Sequence, residues 1–319
     1  MIGVLWDRLL TGRPVRHVAH YEPVLGTSLE LQLVAVSEEA ARRGEGAALA
    51  EIDRLEAVFS AYRPDSELRR WQETHDVDVP VSPELAEVLE RSELWRARTG
   101  GAFNPAVEAP TRVWREHAAR AEPVTDEALA GLAEAMAGPL WRVDRERSTA
   151  RRLTRLPVTL NAIAKGFIID AACATAAATE GVIQVLVNIG GDLRHRGARP
   201  LTVDIADPFA DAENAPPLDS TRILGQGLAT SGNYRRGFRV GAEWHSHLID
   251  PRTARPAEHV VSASVAPTAA LADVLATAFS VLEPEQSLAL AATVPDVACL
   301  LVTRAGKRAA SPGWEGLSR

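Results

Sequence analysis

The chain has 319 residues, of which 46% are hydrophobic, and a formal net charge of −7, so it can bury a sizeable core. The absence of any run of Lys and Arg excludes a nucleic-acid-binding face, and the two isolated cysteines, Cys173 and Cys299, predict neither a disulfide framework nor a metal site. No segment reaches the ~18 apolar residues of a membrane span, and the N-terminus lacks both the apolar core of a signal peptide and a cysteine for lipid attachment, so we predict a cytoplasmic protein without stable membrane insertion.

The first half of the chain predicts helices that follow clear start signals. Residues 1–20 predict an irregular basic arm, and the alternating apolar pattern of residues 29–36 predicts a strand. Helices are expected after Ser or Thr N-cap residues, over 37–59, 82–100 and 125–137.

The second half predicts strands that often follow one another directly. Strands are expected within 141–160 and at 183–189, 201–205, 225–230, 237–241, 245–249, 259–266 and 297–303. Helices are expected at 162–179, at 268–282 and from residue 284, with a surface loop over 207–222 and a frayed end over the last ten residues. This order favours an α+β fold in which antiparallel sheets are backed by helices in one continuous domain.

The helix predicted at 268–282 has polar groups in an unusual place. On a helical wheel its Leu, Val, Ala and Phe side chains cover a broad apolar face, whereas Asp273, Thr277 and Ser280 fall together on the remainder. Asp273 and Thr277 are one turn apart on the same face. A helix buried on most sides would thereby present two oxygen ligands. Alternatively, Thr277 bonds back to the carbonyl of residue 273 while Asp273 reaches solvent.

Three other segments have polar or glycine residues at the ends of predicted elements. Lys165 lies in the first turn of a helix, where a cation is favourable if an anion such as phosphate binds at the helix start; the less favoured alternative is a lysine that extends from a core helix. The glycines of the sequence NIGGD, which ends at Asp192, would let a ligand approach the backbone. The segment ATSGNY at 229–234 could bind a phosphate. Taken alone, each of the last two more often marks an ordinary turn.

Eight segments, in this order, resemble those of the ApbE family of flavin transferases, the FAD:protein FMN transferases. They are LGTSLEL at 25–31, FSAYRPDSEL at 59–68, GAFNPAVEAPTRVW at 101–114, LNAIAKGFIID at 160–170, LVNIGGD at 186–192, ATSGNYRRGF at 229–238, HLIDPRT at 247–253 and ALADVLAT at 270–277. The resemblance implies an ApbE-like (T-fold-like) single bilobed domain over residues 21–309, between an N-terminal arm at 1–20 and a C-terminal tail at 310–319.

The same resemblance implies a set of site residues. The Ala162 carbonyl, Asp273 and Thr277 would bind Mg²⁺, which prefers such hard oxygen ligands. His247 would accept the proton of the acceptor hydroxyl, Lys165 would assist, and Asp250 would orient His247 or reach the metal. The implied contacts to FAD are Leu25, Tyr62, Ala102, Phe103, Asn104, Thr159, Lys165 and Ile249.

The chain departs from the family at several of these positions. Family members usually have Asp at the positions of Asn104 and Thr159, so two carboxylates are missing from the implied flavin pocket; altered contacts to the adenine or isoalloxazine and weaker FAD binding are both open. They usually have Gly at the position of Ala254, where a positive φ would cost an alanine about 1 kcal/mol.

The resemblance implies a Mg²⁺-dependent transferase that attaches FMN through a phosphoester to Thr or Ser of a target protein and releases AMP. Its partner would be a flavin-acceptor protein such as a subunit of a redox pump or a reductase. Alternatives are an FAD pyrophosphatase that forms FMN and AMP, a non-catalytic FAD-binding protein, and a serine hydrolase using Ser231, His247 and Asp250. The last is disfavoured because no nucleophile-elbow motif surrounds Ser231.

Overall fold

A computed structural model describes residues 13–210, 215–232, 237–240 and 243–317. Parts of the predicted arm, of the loop at 207–222, of the segment at 229–238, of the strand at 237–241 and of the tail lie outside these residues. The strands are β1 (Val15–Val24), β2 (Thr27–Ala35), β3 (Asp78–Pro80), β4 (Trp141–Asp144), β5 (Thr149–Arg152), β6 (Val182–Ile189), β7 (Asp192–Arg196), β8 (Leu201–Ile205), β9 (Asp219–Ile223), β10 (Gly227–Gly232), β11 (Gly237–Val240), β12 (Glu243–Ser246), β13 (Ile249–Asp250), β14 (Arg255–Pro256), β15 (Val260–Ala266), β16 (Ala298–Thr303) and β17 (Arg308–Ala310). The helices are α1 (Glu38–Phe59), α2 (Glu67–Gln72), α3 (Pro83–Arg98), α4 (Glu108–Arg120), α5 (Asp126–Ala137), α6 (Asn161–Ala177), α7 (Ala269–Phe279), α8 (Pro284–Ala292) and α9 (Pro312–Leu317).

The centre of the fold is an eight-stranded sheet with the strand order β1-β2-β6-β7-β10-β15-β16-β17. Each pair of neighbours in it is antiparallel. In β2, Leu29, Leu31 and Leu33 are fully buried and alternate with partly exposed residues, because successive side chains of a strand point to opposite faces. Strand β15 is buried along its whole length, so the middle of the sheet is covered on both faces.

Helices cover one face of this sheet and a smaller apolar cluster covers the other. Helix α6 lies between α1 and α7 and contacts β6 and β7, while α7 contacts β10 and β15. Neighbouring residues of β16 belong to different clusters: Leu301 packs in the main core, and Leu300 packs in the smaller cluster with Trp314 of α9. The predicted α+β fold with antiparallel sheets backed by helices is confirmed. No helix within the described ranges combines the length and apolarity needed to cross a bilayer.

The predicted helix starts are confirmed at three positions. The hydroxyls of Ser37, Ser82 and Thr125 each accept a hydrogen bond from a backbone N–H in the first turn that follows, which satisfies one of the free donors at a helix start. Helix α4 was not predicted, and its N-cap residue Val107 makes no side-chain cap. This start therefore lacks the sequence signal that identifies the others.

The predictions for the two ends of the chain are partly wrong. Residues 15–20, assigned to an irregular arm, belong to β1 and pair with β2, but their side chains are half-buried or exposed, so the sequence has no strong apolar alternation there. The tail is not frayed over 312–317: α9 buries Trp314, whose indole N–H donates to Asp219 Oδ2 at 2.8 Å. The loop predicted over 207–222 ends in β9, which pairs with β8.

Candidate active site

Helices α6 and α7 run antiparallel, and hydrogen bonds between them define their register. Asp170 accepts from the N–H groups of Ala269 at 3.1 Å and Ala270 at 2.9 Å, at the start of α7. One turn earlier on α6 and one turn later on α7, the Gly166 N–H donates to Asp273 Oδ2 at 3.1 Å. A Cβ atom on Gly166 would lie 2.2 Å from the Ala269 carbonyl oxygen. The close approach of the two helices therefore requires glycine at this position.

The same register brings the three predicted metal ligands together. One further turn along each helix places Ala162 beside Thr277. Ala162 has a φ of −89° and a ψ of 16°, so its carbonyl turns away from the regular hydrogen-bond ladder of the helix. The Gly166 N–H, the regular partner of that carbonyl, donates to Asp273. The Ala162 carbonyl, the Asp273 carboxylate and the Thr277 hydroxyl thus lie along the contact between α6 and α7, which we call the α6–α7 seam. This hard oxygen set fits Mg²⁺.

The structure also decides between the two interpretations of the polar residues Asp273 and Thr277 on α7. Asp273 is only 6% exposed and so does not reach solvent. The hydroxyl of Thr277 makes no hydrogen bond to the carbonyl of residue 273 in the described part of the chain, whereas Thr99 and Thr111 each make such a bond to their own i−4 carbonyl. The oxygen of Thr277 is therefore available to a ligand. Among the described residues no three His, Cys, Asp or Glu side chains group as a metal site, so the mixed set is the candidate.

Lys165 projects from the first turns of α6 onto a buried carboxylate that the sequence-based site did not include. Its Nζ lies 2.5 Å from Asp192 Oδ2, and Asp192 is 2% exposed. Asp192 begins β7 directly after Gly190 and Gly191, which have φ values of 61° and 94°, and its Oδ1 accepts from the Thr230 N–H at 3.2 Å. Burial raises the pKa of the Asp192 carboxyl, against the opposing effects of Lys165 and the Thr230 hydrogen bond. The Gly-Gly-Asp sequence was its only signal, and alone it predicts a turn.

Asp192 and Asp273 influence each other across this site. Burial raises the pKa of Asp273 to about 7; the Lys165 ammonium opposes this rise, the Asp192 carboxylate adds to it, and the hydrogen bond from Gly166 opposes it. Desolvation and a neighbouring like charge both disfavour an ionised carboxylate. With one lysine for two buried carboxylates, these side chains have an excess negative charge when ionised, which favours a cation.

The predicted catalytic histidine lies in the turn between β12 and β13. His247 is half-buried and follows β12. Asp250 accepts from the Arg252 backbone N–H at 2.9 Å and from its guanidinium Nη2 at 2.8 Å. This carboxylate therefore stabilises the turn, and its role towards His247 stays a prediction. The ring of His245, for which no role was assigned, lies 5.2 Å from the ring of Trp114.

Ala254 has the backbone conformation that its position predicted. Its φ is 56°, in the left-handed region that favours glycine. The residue is fully buried, and its carbonyl accepts from the Trp114 indole N–H at 2.8 Å. The hydrogen bond and the packing hold an alanine in a conformation that costs it about 1 kcal/mol.

Three of the predicted FAD contacts, Tyr62, Thr159 and Asn104, line two pockets. Tyr62, which is 80% exposed, and Thr159 line a pocket of about 340 Å³. Asn161 Nδ2 donates to the Tyr62 hydroxyl at 3.1 Å. The other charged and polar residues that line this pocket are Arg69, Gln72, Glu73, Glu108, Arg112, Arg152 and Arg155. Positive side chains outnumber negative ones there, in contrast to the net charge of −7 of the whole chain, which suits an anionic ligand.

Asn104 lines the other pocket, of about 380 Å³, together with Pro251 and Arg252. Its side chain is already engaged by the protein: Nδ2 donates to the Met136 carbonyl at 3.1 Å, and Oδ1 accepts from the Ala106 N–H at 2.9 Å. An ionised aspartate could make the second bond but not the first, because it has no donor. The amide is therefore matched to this chain's own backbone.

The remaining predicted contacts are mostly buried. Ala102, Phe103 and Ile249 are 1%, 2% and 3% exposed, so they would meet a ligand mainly through their backbone. Leu25 lies in the β1–β2 turn with a φ of 50°. Among the described residues, no hydrogen bond joins these four residues to the α6–α7 seam, and their contact with FAD stays a prediction.

Comparison with known proteins identifies the family. The model of the ApbE family matches residues 25–301 of this chain. The chain belongs to the ApbE family. The predicted family is thus confirmed over most of the sequence.

Several relatives in the ApbE family are similar to this chain at the sequence level. The FAD:protein FMN transferase of Rhodobacter capsulatus is 32% identical over 96% of this chain, which spans only 59% of that protein. The FAD:protein FMN transferase of Escherichia coli K12 is 32% identical, with 74% of this chain and 70% of that protein covered. That of Treponema pallidum is also 32% identical, with 90% and 85% covered.

Solved structures of the ApbE family share the fold. The crystal structure of the ApbE protein of Thermotoga maritima has a TM-score of 0.82 at 23% identity, with 96% of this chain and 100% of that chain covered. The apo form of the flavinyl transferase ApbE of Pseudomonas stutzeri has a TM-score of 0.79 at 23% identity, with 97% and 99% covered. The architecture built around α6 and α7 is therefore an ApbE fold.

Proposed function

We propose that this chain is a Mg²⁺-dependent FAD:protein FMN transferase, which attaches FMN through a phosphoester to a Thr or Ser of a target protein and releases AMP. Family membership and the names of the relatives support the transferase activity. The observation that supports the metal is the α6–α7 register, which aligns the Ala162 carbonyl, Asp273 and Thr277 beside Lys165. As part of the same proposal, the acceptor is a subunit of a redox pump or a reductase, and the reaction takes place in the cytoplasm.

The oxygen set on α6 and α7 would hold Mg²⁺ through the Ala162 carbonyl, the Asp273 carboxylate and the Thr277 hydroxyl. When bound, the ion supplies charge neutralisation at the pyrophosphate of FAD. The Lys165 ammonium, held by Asp192, adds a second positive charge for the departing AMP phosphate. Positioning and electrostatics of this kind dominate phosphoryl transfer.

His247 would act on the acceptor side of the reaction. A protein hydroxyl is a poor nucleophile at neutral pH and needs a positioned base. As the hydroxyl oxygen forms its bond to the FMN phosphorus, His247 accepts the hydroxyl proton, and the pyrophosphate bond breaks with its electron pair going to AMP. The imidazole is half-buried, which keeps the proton transfer partly shielded from water.

Both pockets would contribute to FAD binding. Tyr62 offers an exposed ring for stacking, and the arginines around Thr159 offer charge for a phosphate. Because Asn104 and Thr159 lack a carboxylate, the nucleotide meets a less acidic surface here than in most family members. The serine hydrolase alternative gains no support. Ser231 lies within β10, where it pairs with Ala263 of β15, and not on a strand-to-helix turn.

A flavin-labelling assay tests this function. Wild type with FAD, Mg²⁺ and a flavin-acceptor domain from a redox pump should leave a fluorescent acceptor band on a denaturing gel. Asp273→Ala and Thr277→Val should lose the band, while Thr277→Ser, which keeps the hydroxyl, should retain it. His247→Ala should lose the band and still bind FAD in a fluorescence titration.

Each other result identifies a different function. Release of FMN and AMP without labelling would make the protein an FAD pyrophosphatase. Binding of FAD without turnover would make it a non-catalytic carrier. Labelling that persists in EDTA would show that the reaction does not need Mg²⁺. Labelling by His247→Ala at the wild-type level would show that His247 is not the base.

A further inference from the structure

The ammonium of Lys165 has two buried carboxylates within its reach. It lies 2.5 Å from Asp192, and the next residue, Gly166, donates its N–H to Asp273 at 3.1 Å. Asp192 and Asp273 are 2% and 6% exposed, so water screens neither of them well. Which carboxylate binds the lysine therefore determines which one is left with an uncompensated charge.

Asp192 is fixed by the sheet in the orientation that binds the lysine. Its Oδ1 accepts from the Thr230 N–H of β10, which leaves Oδ2 for Lys165. The Thr230 hydroxyl is in turn hydrogen-bonded to Ser264 of β15 at 2.9 Å. The lysine side chain is 30% exposed and has a long flexible stem. The carboxylate is thus the rigid partner and the lysine the movable one.

We propose that Asp192 is a positioning residue that holds the Lys165 ammonium away from the Asp273 carboxylate and thereby leaves that carboxylate open to a divalent cation. The inference rests on the proposed function, because it assigns Asp273 to the cation. If Lys165 turned to Asp273 instead, the residual negative charge would fall on Asp192, which is on a strand and shares no helix turn with Ala162 and Thr277. The cation would then lose its charged ligand.

The substitution Asp192→Asn tests this competition with little change in shape. An asparagine keeps the Oδ1 acceptor for Thr230 and replaces Oδ2 with an NH₂ group, which cannot accept a bond from Lys165. The ammonium then loses its ion pair with Asp192 and can turn to Asp273, whose carboxyl pKa it already lowers electrostatically. We expect the affinity for a divalent cation to fall about tenfold, which corresponds to about 1.4 kcal/mol. Removing the competitor in the double variant Lys165→Met/Asp192→Asn should restore it to within about threefold of wild type.

Mn²⁺ is the probe, because it suits the same oxygen ligands as Mg²⁺ and its free concentration can be read by electron paramagnetic resonance. Binding is measured without FAD, so that the role of Lys165 in nucleotide contact does not enter, and competition by Mg²⁺ and loss of binding in Asp273→Ala identify the site. Circular dichroism and thermal melting check that each variant is folded. If Asp192→Asn fails to fold, Lys165→Gln alone serves instead, and it should bind Mn²⁺ at least as tightly as wild type.

Several outcomes would overturn the proposal. Equal Mn²⁺ affinity in wild type and Asp192→Asn would remove Asp192 from this role, while Mg²⁺-dependent labelling by wild type would leave the proposed function intact. Equally weak binding in Asp192→Asn and in the double variant would show that Asp192 acts as a ligand or only in folding. Weaker binding by Lys165→Gln would show that the lysine does not compete. No Mn²⁺ binding by wild type would reject the metal site itself, and this inference with it.

Discussion

At the scale of single residues, the chain replaces family residues in ways that its own backbone explains. Asn104 replaces a carboxylate, and its amide is hydrogen-bonded to Met136 and Ala106. Ala254 replaces a glycine, and it keeps the positive φ of the turn while its carbonyl binds the Trp114 indole. The sequence revealed both substitutions, but it did not reveal the Met136 and Trp114 partners, because these are distant along the chain.

The amide of Asn104 makes a testable contribution to stability. We expect Asn104→Asp to lower the free energy of unfolding by about 1–3 kcal/mol, because an ionised carboxylate would face the Met136 carbonyl without a donor. Urea unfolding at pH 7 measures the change. Asn188→Asp is a matched control. In the only side-chain hydrogen bond described for Asn188, its Oδ1 accepts from the Gly191 N–H at 3.1 Å, and an aspartate oxygen can accept the same bond. Equal stability of Asn104→Asp and wild type would contradict the argument.

At the scale of elements, the site depends on how two helices meet. The wheel of α7 predicted that Asp273 and Thr277 share a face, and this is how they lie. Their partners on α6 could not be predicted from helix periodicity, because the register depends on Gly166 and on the two bonds of Asp170 to the start of α7. Local patterns determine which residues share a face of one helix, whereas tertiary contacts determine what that face meets.

Gly166 is the element-scale test of this packing. In Gly166→Ala the new methyl group would lie 2.2 Å from a backbone oxygen of α7, so the helices must separate. We expect a loss of about 1–3 kcal/mol in the free energy of unfolding, as for other overpacked sites, together with weaker Mn²⁺ binding.

Gly46→Ala in α1 is the matched control for that change. Beyond its chain neighbours and the backbone of its own helix, no atom lies within 4 Å of a Cβ added at Gly46, so only helix propensity acts, and stability should rise by about 0.5–1 kcal/mol. If both alanines stabilised the protein, the close contact of α6 with α7 would not limit the fold.

At the scale of the whole molecule, the central sheet separates the site from the smaller apolar cluster on its other face. The α+β class was predictable from strands that follow one another directly. The edge strand β1 and the terminal helix α9 were not, since β1 has only half-buried and exposed side chains and α9 has six residues. Both are stabilised by the sheet that they cover or extend, which a local sequence pattern does not contain.

This separation predicts that stability and function can be changed independently. Trp314 packs with Leu300 against the face of the sheet opposite α6 and α7, so Trp314→Ala should cost about 3–5 kcal/mol of stability. Its rate of flavin labelling per folded molecule, measured well below its melting temperature, should equal that of wild type. Asp273→Asn should do the reverse, losing labelling while its melting temperature in the absence of metal stays equal or rises, because it removes a buried charge and keeps an oxygen that accepts from the Gly166 N–H. A labelling defect in folded Trp314→Ala would mean that the two faces of the sheet are coupled.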